Sequence, residues 1–117
     1  MGERGGEAQS CAIVTGASRG LGAAIALELA GRGVSPVLAA RSRADLLDVA
    51  DEARRRGAPD VLAIDADLSR PEEPKRVVEA AIERFGRLDI LVNNAGNTKR
   101  GDFLELSDED HLSGFDL

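Results

Sequence analysis

Three glycines, Gly16, Gly20 and Gly22, fall within Val14-Thr15-Gly16-Ala17-Ser18-Arg19-Gly20-Leu21-Gly22. Before them runs the apolar stretch Cys11-Ala12-Ile13-Val14, which reads as a buried strand. After them, Leu21 to Ala30 carries apolar residues at helical spacing. A turn from a strand into a helix N-terminus points backbone N–H groups outward, and glycines remove the side chains that would hold an anion at a distance. Gly16 would permit the sharp exit from the strand, Gly20 the close approach of a phosphate, and Gly22 a tight contact of helix on sheet. The spacing is Gly-x-x-x-Gly-x-Gly rather than the commoner Gly-x-Gly-x-x-Gly. Taken alone the three glycines serve equally well as turn punctuation.

Two further places bear on the choice. The second strand ends at Ala40-Arg41-Ser42, the position that meets the adenosine ribose in dinucleotide folds: a carboxylate there suits a free 2'-hydroxyl, an arginine a 2'-phosphate. No acidic residue occupies that strand end. Arg41, with Arg19 from the glycine turn, would form charge-assisted bonds to a phosphate and point to NADP rather than NAD. Either arginine by itself reads as an ordinary surface residue. The other place is Asn93-Asn94-Ala95-Gly96, directly after a fourth strand at Ile90-Leu91-Val92. It is an unremarkable turn by composition, but it would wall the same crevice if the first and fourth strands lie side by side.

The elements that must position these residues alternate along the chain. Pro36 to Ala40 reads as a second strand with the proline as its first residue, Ala44 to Arg56 as a helix, Val61 to Ile64 as a third strand and Pro71 to Phe85 as a helix. In the Ala44 helix, Leu46, Leu47, Val49, Ala50 and Ala53 are expected on the buried side, with Asp51–Arg55 and Glu52–Arg56 as favourable pairs. Arg54, Arg55 and Arg56 would complement that helix's C-terminus. Ser69, with Glu72 three residues on, is the expected cap of the later helix. The remainder from Asn97 reads as a loop, with a fourth helix beginning at Asp108 after Ser107. The order predicts a doubly wound α/β sheet of parallel strands with right-handed crossovers and helices on both faces.

Composition narrows the class. At 117 residues the chain is one domain at most. Its net charge of -6, with 15 basic and 21 acidic residues interspersed, offers no basic face for nucleic acid and no polybasic patch for a membrane. Three Phe and no Trp or Tyr leave little for stacking on bases. The single cysteine, Cys11, reads as a small core residue. Residues 1–10 read as a flexible polar leader without an apolar signal segment, and no window is apolar enough to span a bilayer, so a cytoplasmic chain is expected.

The segments Thr15 to Gly22, Asp67-Leu68 and Asp89-Ile90-Leu91-Val92-Asn93-Asn94-Ala95-Gly96 resemble the N-terminal half of a short-chain dehydrogenase/reductase, close to the 3-oxoacyl-acyl-carrier-protein reductase type. The likeness runs from Cys11 to Leu117 and implies an incomplete Rossmann-type sheet of about four strands in the order 3-2-1-4, with three helices and the start of a fourth. It implies a cofactor-binding turn of Gly16, Ala17, Ser18, Arg19, Gly20, Leu21 and Gly22, in which Gly16 to Arg19 and Leu21 hold the phosphates and the 2'-phosphate. Arg41 and Ser42 would then meet the 2'-phosphate, Asp67 and Leu68 the adenine, and Asn94, Ala95 and Gly96 the ribose of NADP.

Members of that family move a hydride between a nicotinamide cofactor and a carbonyl or alcohol, using a Tyr as acid, a Lys three residues later, a Ser and an Asn. This chain has no tyrosine. The family's Asn would align just after Leu117, and Lys75, Lys99, Ser107 and Ser113 stand in the wrong segments. His111 reads as a helix residue rather than a substitute acid. The expectation is therefore a cofactor-binding half without its own catalytic residues and without a metal site. It would bind a nicotinamide dinucleotide here and meet a small carbonyl substrate only in the complete protein, with a homo-oligomer among the open quaternary states. A non-catalytic nucleotide-binding or regulatory module, or a truncated non-functional product, stay open as alternatives.

Overall fold

A computed structural model describes residues 10–94. The elements are β1 (Cys11–Thr15), α1 (Gly20–Gly31), β2 (Ser35–Ala40), α2 (Arg43–Arg55), β3 (Leu62–Asp65), α3 (Glu73–Phe85) and β4 (Ile90–Val92). The strands form one parallel sheet in the order β3-β2-β1-β4. Ile13 lies opposite Val37 on one side and Leu91 on the other. The doubly wound architecture and the 3-2-1-4 order are as the sequence predicts.

β1 and β2 are buried along their whole length, which is why residues 11–14 and 36–40 are apolar runs rather than alternations, with polar Thr15 and Ser35 only at strand ends. Successive side chains feed opposite faces. Ile13, Val37 and Ile64 pack under Val77, Val78 and Ala81 of α3, while Val14 and Leu38 pack under Ala26 and Ala30 of α1 and Leu46, Val49 and Ala53 of α2. Alanines at the contact face of α1 let its backbone lie close to the sheet. Glu28 is the only charged residue in that helix.

Several local expectations are corrected. Leu47 is not on the buried face of α2 but 44% exposed, because the apolar stripe follows Leu46, Val49, Ala50 and Ala53 and leaves its neighbour outside. Asp51 pairs with Arg54 rather than Arg55, at 3.3 Å, and Arg55 instead joins Arg56 on Glu52. β2 starts at Ser35, whose N–H donates to Ser10 at 2.9 Å, so Pro36 is its second residue. Helix α3 starts at Glu73 rather than Pro71, and Ser69 does not cap it. The Ser69 amide and hydroxyl both bond Asp67, and Glu73 N–H reaches Arg70. A separate turn thus precedes the helix, with Pro74 in its first turn.

The entry ends of β1 and β4 are clipped together. Asp89 donates its N–H to the Cys11 carbonyl at 3.0 Å, and its carboxylate accepts the Cys11 N–H at 2.9 Å. Arg87 Nε reaches both carboxylate oxygens, at 3.0 and 2.8 Å. Burial alone would raise the Asp89 carboxyl, but the Arg87 and Cys11 bonds outweigh it and hold it below the usual value. A carboxylate held low stabilises the fold above its unfolded pKa near 3.8 and loses that contribution as pH falls through the lowered value. Asp89→Asn is expected to cost about 1–3 kcal/mol at pH 7, measured by urea unfolding. The gap between parent and variant should narrow at a pH below the lowered value, and a gap that stays constant would contradict the charge argument.

Candidate functional site

At the C-terminal ends of β1, β2 and β3 the three following loops open onto one cavity of about 510 Å³. It is lined by Gly16, Ser18, Arg19, Ala40, Arg41, Ser42, Asp45, Ala66, Asp67 and Leu68. Backbone bonds carry the sheet past the strand ends into these loops: Ala17 N–H donates to Ala39 at 3.3 Å and Ala66 N–H to Ala40 at 2.8 Å. The lining backbone is thereby fixed by the sheet.

The two helices that begin beside the cavity are finished differently. α2 is capped, its Ser42 hydroxyl accepting the Asp45 N–H at 3.3 Å, and Asp45 adds an acid to the first turn. α1 has Arg19 in the cap position, no side-chain cap bond and no acidic residue in its first turn. Among the described residues, no side chain caps its positive end and no acid in its first turn compensates it. Gly16 and Gly20 both hold left-handed backbone, with φ of 63° and 62°. A Cβ built at Gly20 would meet nothing within 4 Å among the described residues.

Gly22 serves another purpose. A Cβ there would stand 2.1 Å from the Gly16 carbonyl oxygen and 2.8 Å from Asn94 Nδ2. Asn94 Nδ2 in turn donates to that same carbonyl at 3.4 Å. Behind it, the buried Thr15 hydroxyl accepts the Asn94 N–H at 2.8 Å and donates to Asn93 Oδ1 at 3.0 Å. The segment after β4 is thus tied to the glycine turn by side chains.

The cavity carries opposed charges. Arg19 and Arg41 are exposed on a wall that also includes Asp45 and Asp67. The Asp67 carboxyl is held below its ordinary value by the Ser69 hydroxyl and amide, with the Arg41 charge helping. Cys11 takes no part: it is sealed in the sheet, and burial, with the nearby Asp89 charge, pushes its thiol up to about 12. Among the described residues no group of His, Cys, Asp and Glu could hold a metal ion.

Of the residues expected at the site, Gly16, Ser18, Arg19, Arg41, Ser42, Asp67 and Leu68 are brought to this cavity. Ala17 is buried beneath the turn, Gly22 is buried in the first turn of α1, Leu21 is 67% exposed, and Asn94 stands on the β4 side of the glycine turn. Ala95 and Gly96 lie outside the described residues, as do the expected leader up to position 9 and the helix expected from Asp108. Three residues were missed as contributors. Thr15 carries no sequence signal beyond its place in the glycine motif, Asp45 is legible as the third residue after a serine cap, and the bonding of Ser69 to Asp67 is masked by the likeness of Ser69 to a helix cap.

A strand-turn-helix with an uncapped N-terminus, an arginine after β2 and a loop from β4 tied across the turn together describe a dinucleotide-binding sheet. The short chain dehydrogenase family matches residues 10–117, and the chain belongs to that family. It is 51% identical over 84 residues to 11-beta-hydroxysteroid dehydrogenase A of Sesamum indicum, an alignment that takes in 72% of this chain and 24% of that protein. An uncharacterised oxidoreductase of Methylorubrum extorquens is 40% identical over 106 residues, covering 91% of this chain and 43% of that one. Among solved structures, a metagenomic short-chain oxidoreductase in complex with NADP superposes with a TM-score of 0.70 at 40% identity, over 74% of this chain and 39% of its own. A hydroxysteroid dehydrogenase from Escherichia coli gives 0.75 at 30% identity, over 85% and 49%. The chain thus spans about a quarter of the curated plant relative. No helix among the described residues is long and apolar enough to cross a membrane.

The two glycines separate packing from access. Gly22→Ala is expected to destabilise the fold by about 3 kcal/mol, since backbone must move to admit the methyl. Gly20→Ala should cost only the about 1–2 kcal/mol of a left-handed alanine. Chemical denaturation of both variants checks the order, and equal losses would contradict it.

Proposed function

We propose that this chain is the NADP(H)-holding part of a short-chain dehydrogenase/reductase that interconverts a carbonyl and an alcohol. The observation that carries the reading is the N-terminus of α1, which has no side-chain cap and begins at Gly20 beside a cavity whose wall includes Gly16, Arg19 and Arg41. The residues present fit such a cofactor. The turn from Gly16 to Leu21 at the α1 terminus would receive the pyrophosphate, while Gly22 keeps the helix close to the sheet. Arg41, Ser42 and Arg19 would meet the 2'-phosphate, Asp67 and Leu68 the adenine, and Asn94, Ala95 and Gly96 a ribose. When bound, the nicotinamide supplies or accepts the hydride. The chain's own residues bind and orient it.

The preference for NADPH is argued from charge. An NAD-binding site profits from a carboxylate at the end of β2, and Ala40-Arg41-Ser42 offers none. The reaction itself is assigned to residues beyond these 117, because a tyrosine acid is needed and the chain has no tyrosine.

Calorimetric titration of the chain should show NADPH binding about tenfold more tightly than NADH, about 1.4 kcal/mol, with Arg41→Asp reversing the order. Equal affinities in the parent would remove the argument from the arginines. In the presence of a ketone the purified chain should bind NADPH without oxidising it, and steady loss of absorbance at the reduced nicotinamide band would overturn the assignment of the chemistry elsewhere.

A further inference from the structure

We propose that Ser69 is a positioning residue for recognition of the base, holding Asp67 so that the site accepts a 6-amino purine and rejects a 6-oxo one. The inference rests on the cofactor reading above and goes beyond it to a residue outside the cavity lining. Ser69 places two donors on one oxygen of Asp67: its hydroxyl lies 2.6 Å and its N–H 3.1 Å from Oδ1. An O–H···O bond of that length to a carboxylate is at the strong end of the range. Two bonds to one oxygen fix the plane of the carboxylate. No hydrogen bond within the described residues engages the other oxygen, Oδ2.

The same loop forms one end of the cavity. With the phosphates at the α1 terminus and a 2'-phosphate at Arg41, the base is left to Ala66, Asp67 and Leu68. An ionised carboxylate only accepts hydrogen bonds, so the edge it faces must bring a donor. The exocyclic amine of adenine does. The carbonyl of hypoxanthine, at the same position and of similar size, sets an oxygen against an oxygen, and its N1–H donor lies one ring position away, out of register for a carboxylate held at the 6-substituent. Without the Ser69 hydroxyl the carboxylate keeps only the amide bond and is free to turn toward the nearby Arg41 charge.

Titrating the full chain with NADPH and with its hypoxanthine analogue tests this. The parent should prefer NADPH by about tenfold. Ser69→Ala should weaken NADPH about fivefold while leaving the analogue within twofold, so that the ratio shrinks, and Ser69→Thr should restore it. Asp67→Asn, whose amide can donate to a carbonyl, should independently shift preference toward the analogue. Equal losses for both dinucleotides in Ser69→Ala would mark a merely structural role and overturn the proposal, as would an unchanged ratio in Asp67→Asn. Failure of the parent to bind either dinucleotide would overturn the cofactor reading beneath it, a result distinguishable from the other two.

Discussion

Where the chain leaves β1 and turns into α1, the backbone of Gly22 lies against the Gly16 carbonyl so closely that no side chain fits between them. That carbonyl also accepts the Asn94 side-chain amide, and the residue before it, Thr15, accepts the Asn94 N–H. One turn of backbone therefore fixes the distance of α1 from the sheet and the path of the chain leaving β4. The pairing of β1 with β4 is held at its other end by Asp89 and Arg87. Between these two fastenings the short strand Ile90–Val92 needs no long ladder to keep its register.

The division of labour between helix termini follows from the same geometry. α2 covers one N–H of its first turn with Ser42 and adds the Asp45 acid there, so less of its dipole is left for the site. α1, drawn close by Gly22, presents an end with no such partner. Loops that follow parallel strands all emerge on one edge of the sheet, which is why residues from positions 16 to 68 meet in one cavity.

The parallel sheet was legible because its cause is crude and strong: a strand buried on both faces must be mostly apolar, and β1 and β2 carry one polar residue each, Thr15 and Ser35, at a strand end. The glycine turn and Arg41 were legible for a related reason, since backbone geometry and charge belong to single residues. What was less legible depends on competition between neighbours. Ser69 looked like a cap because serine before a proline and acids commonly is one, yet Asp67 two residues earlier offers its donors a carboxylate first. Asp51 had two arginines within reach, and helical spacing alone could not choose between them. Leu47 lies one residue outside an apolar stripe whose width is set by the neighbouring sheet. The role of Thr15 required knowing that residues 78 and 79 positions away come to its hydroxyl.

The burial of Cys11 makes the chain's only thiol a clock. It sits in β1, between β2 and β4, and a thiol this protonated and enclosed reacts with an alkylating reagent only after the strands around it part. The pace of its labelling therefore counts how often the entry end of β1 parts from β2 and from the Asp89 clip. A dinucleotide that binds across the strand ends slows that clock by as much as it stabilises the closed sheet, and so leaves a record of binding in a residue it never touches.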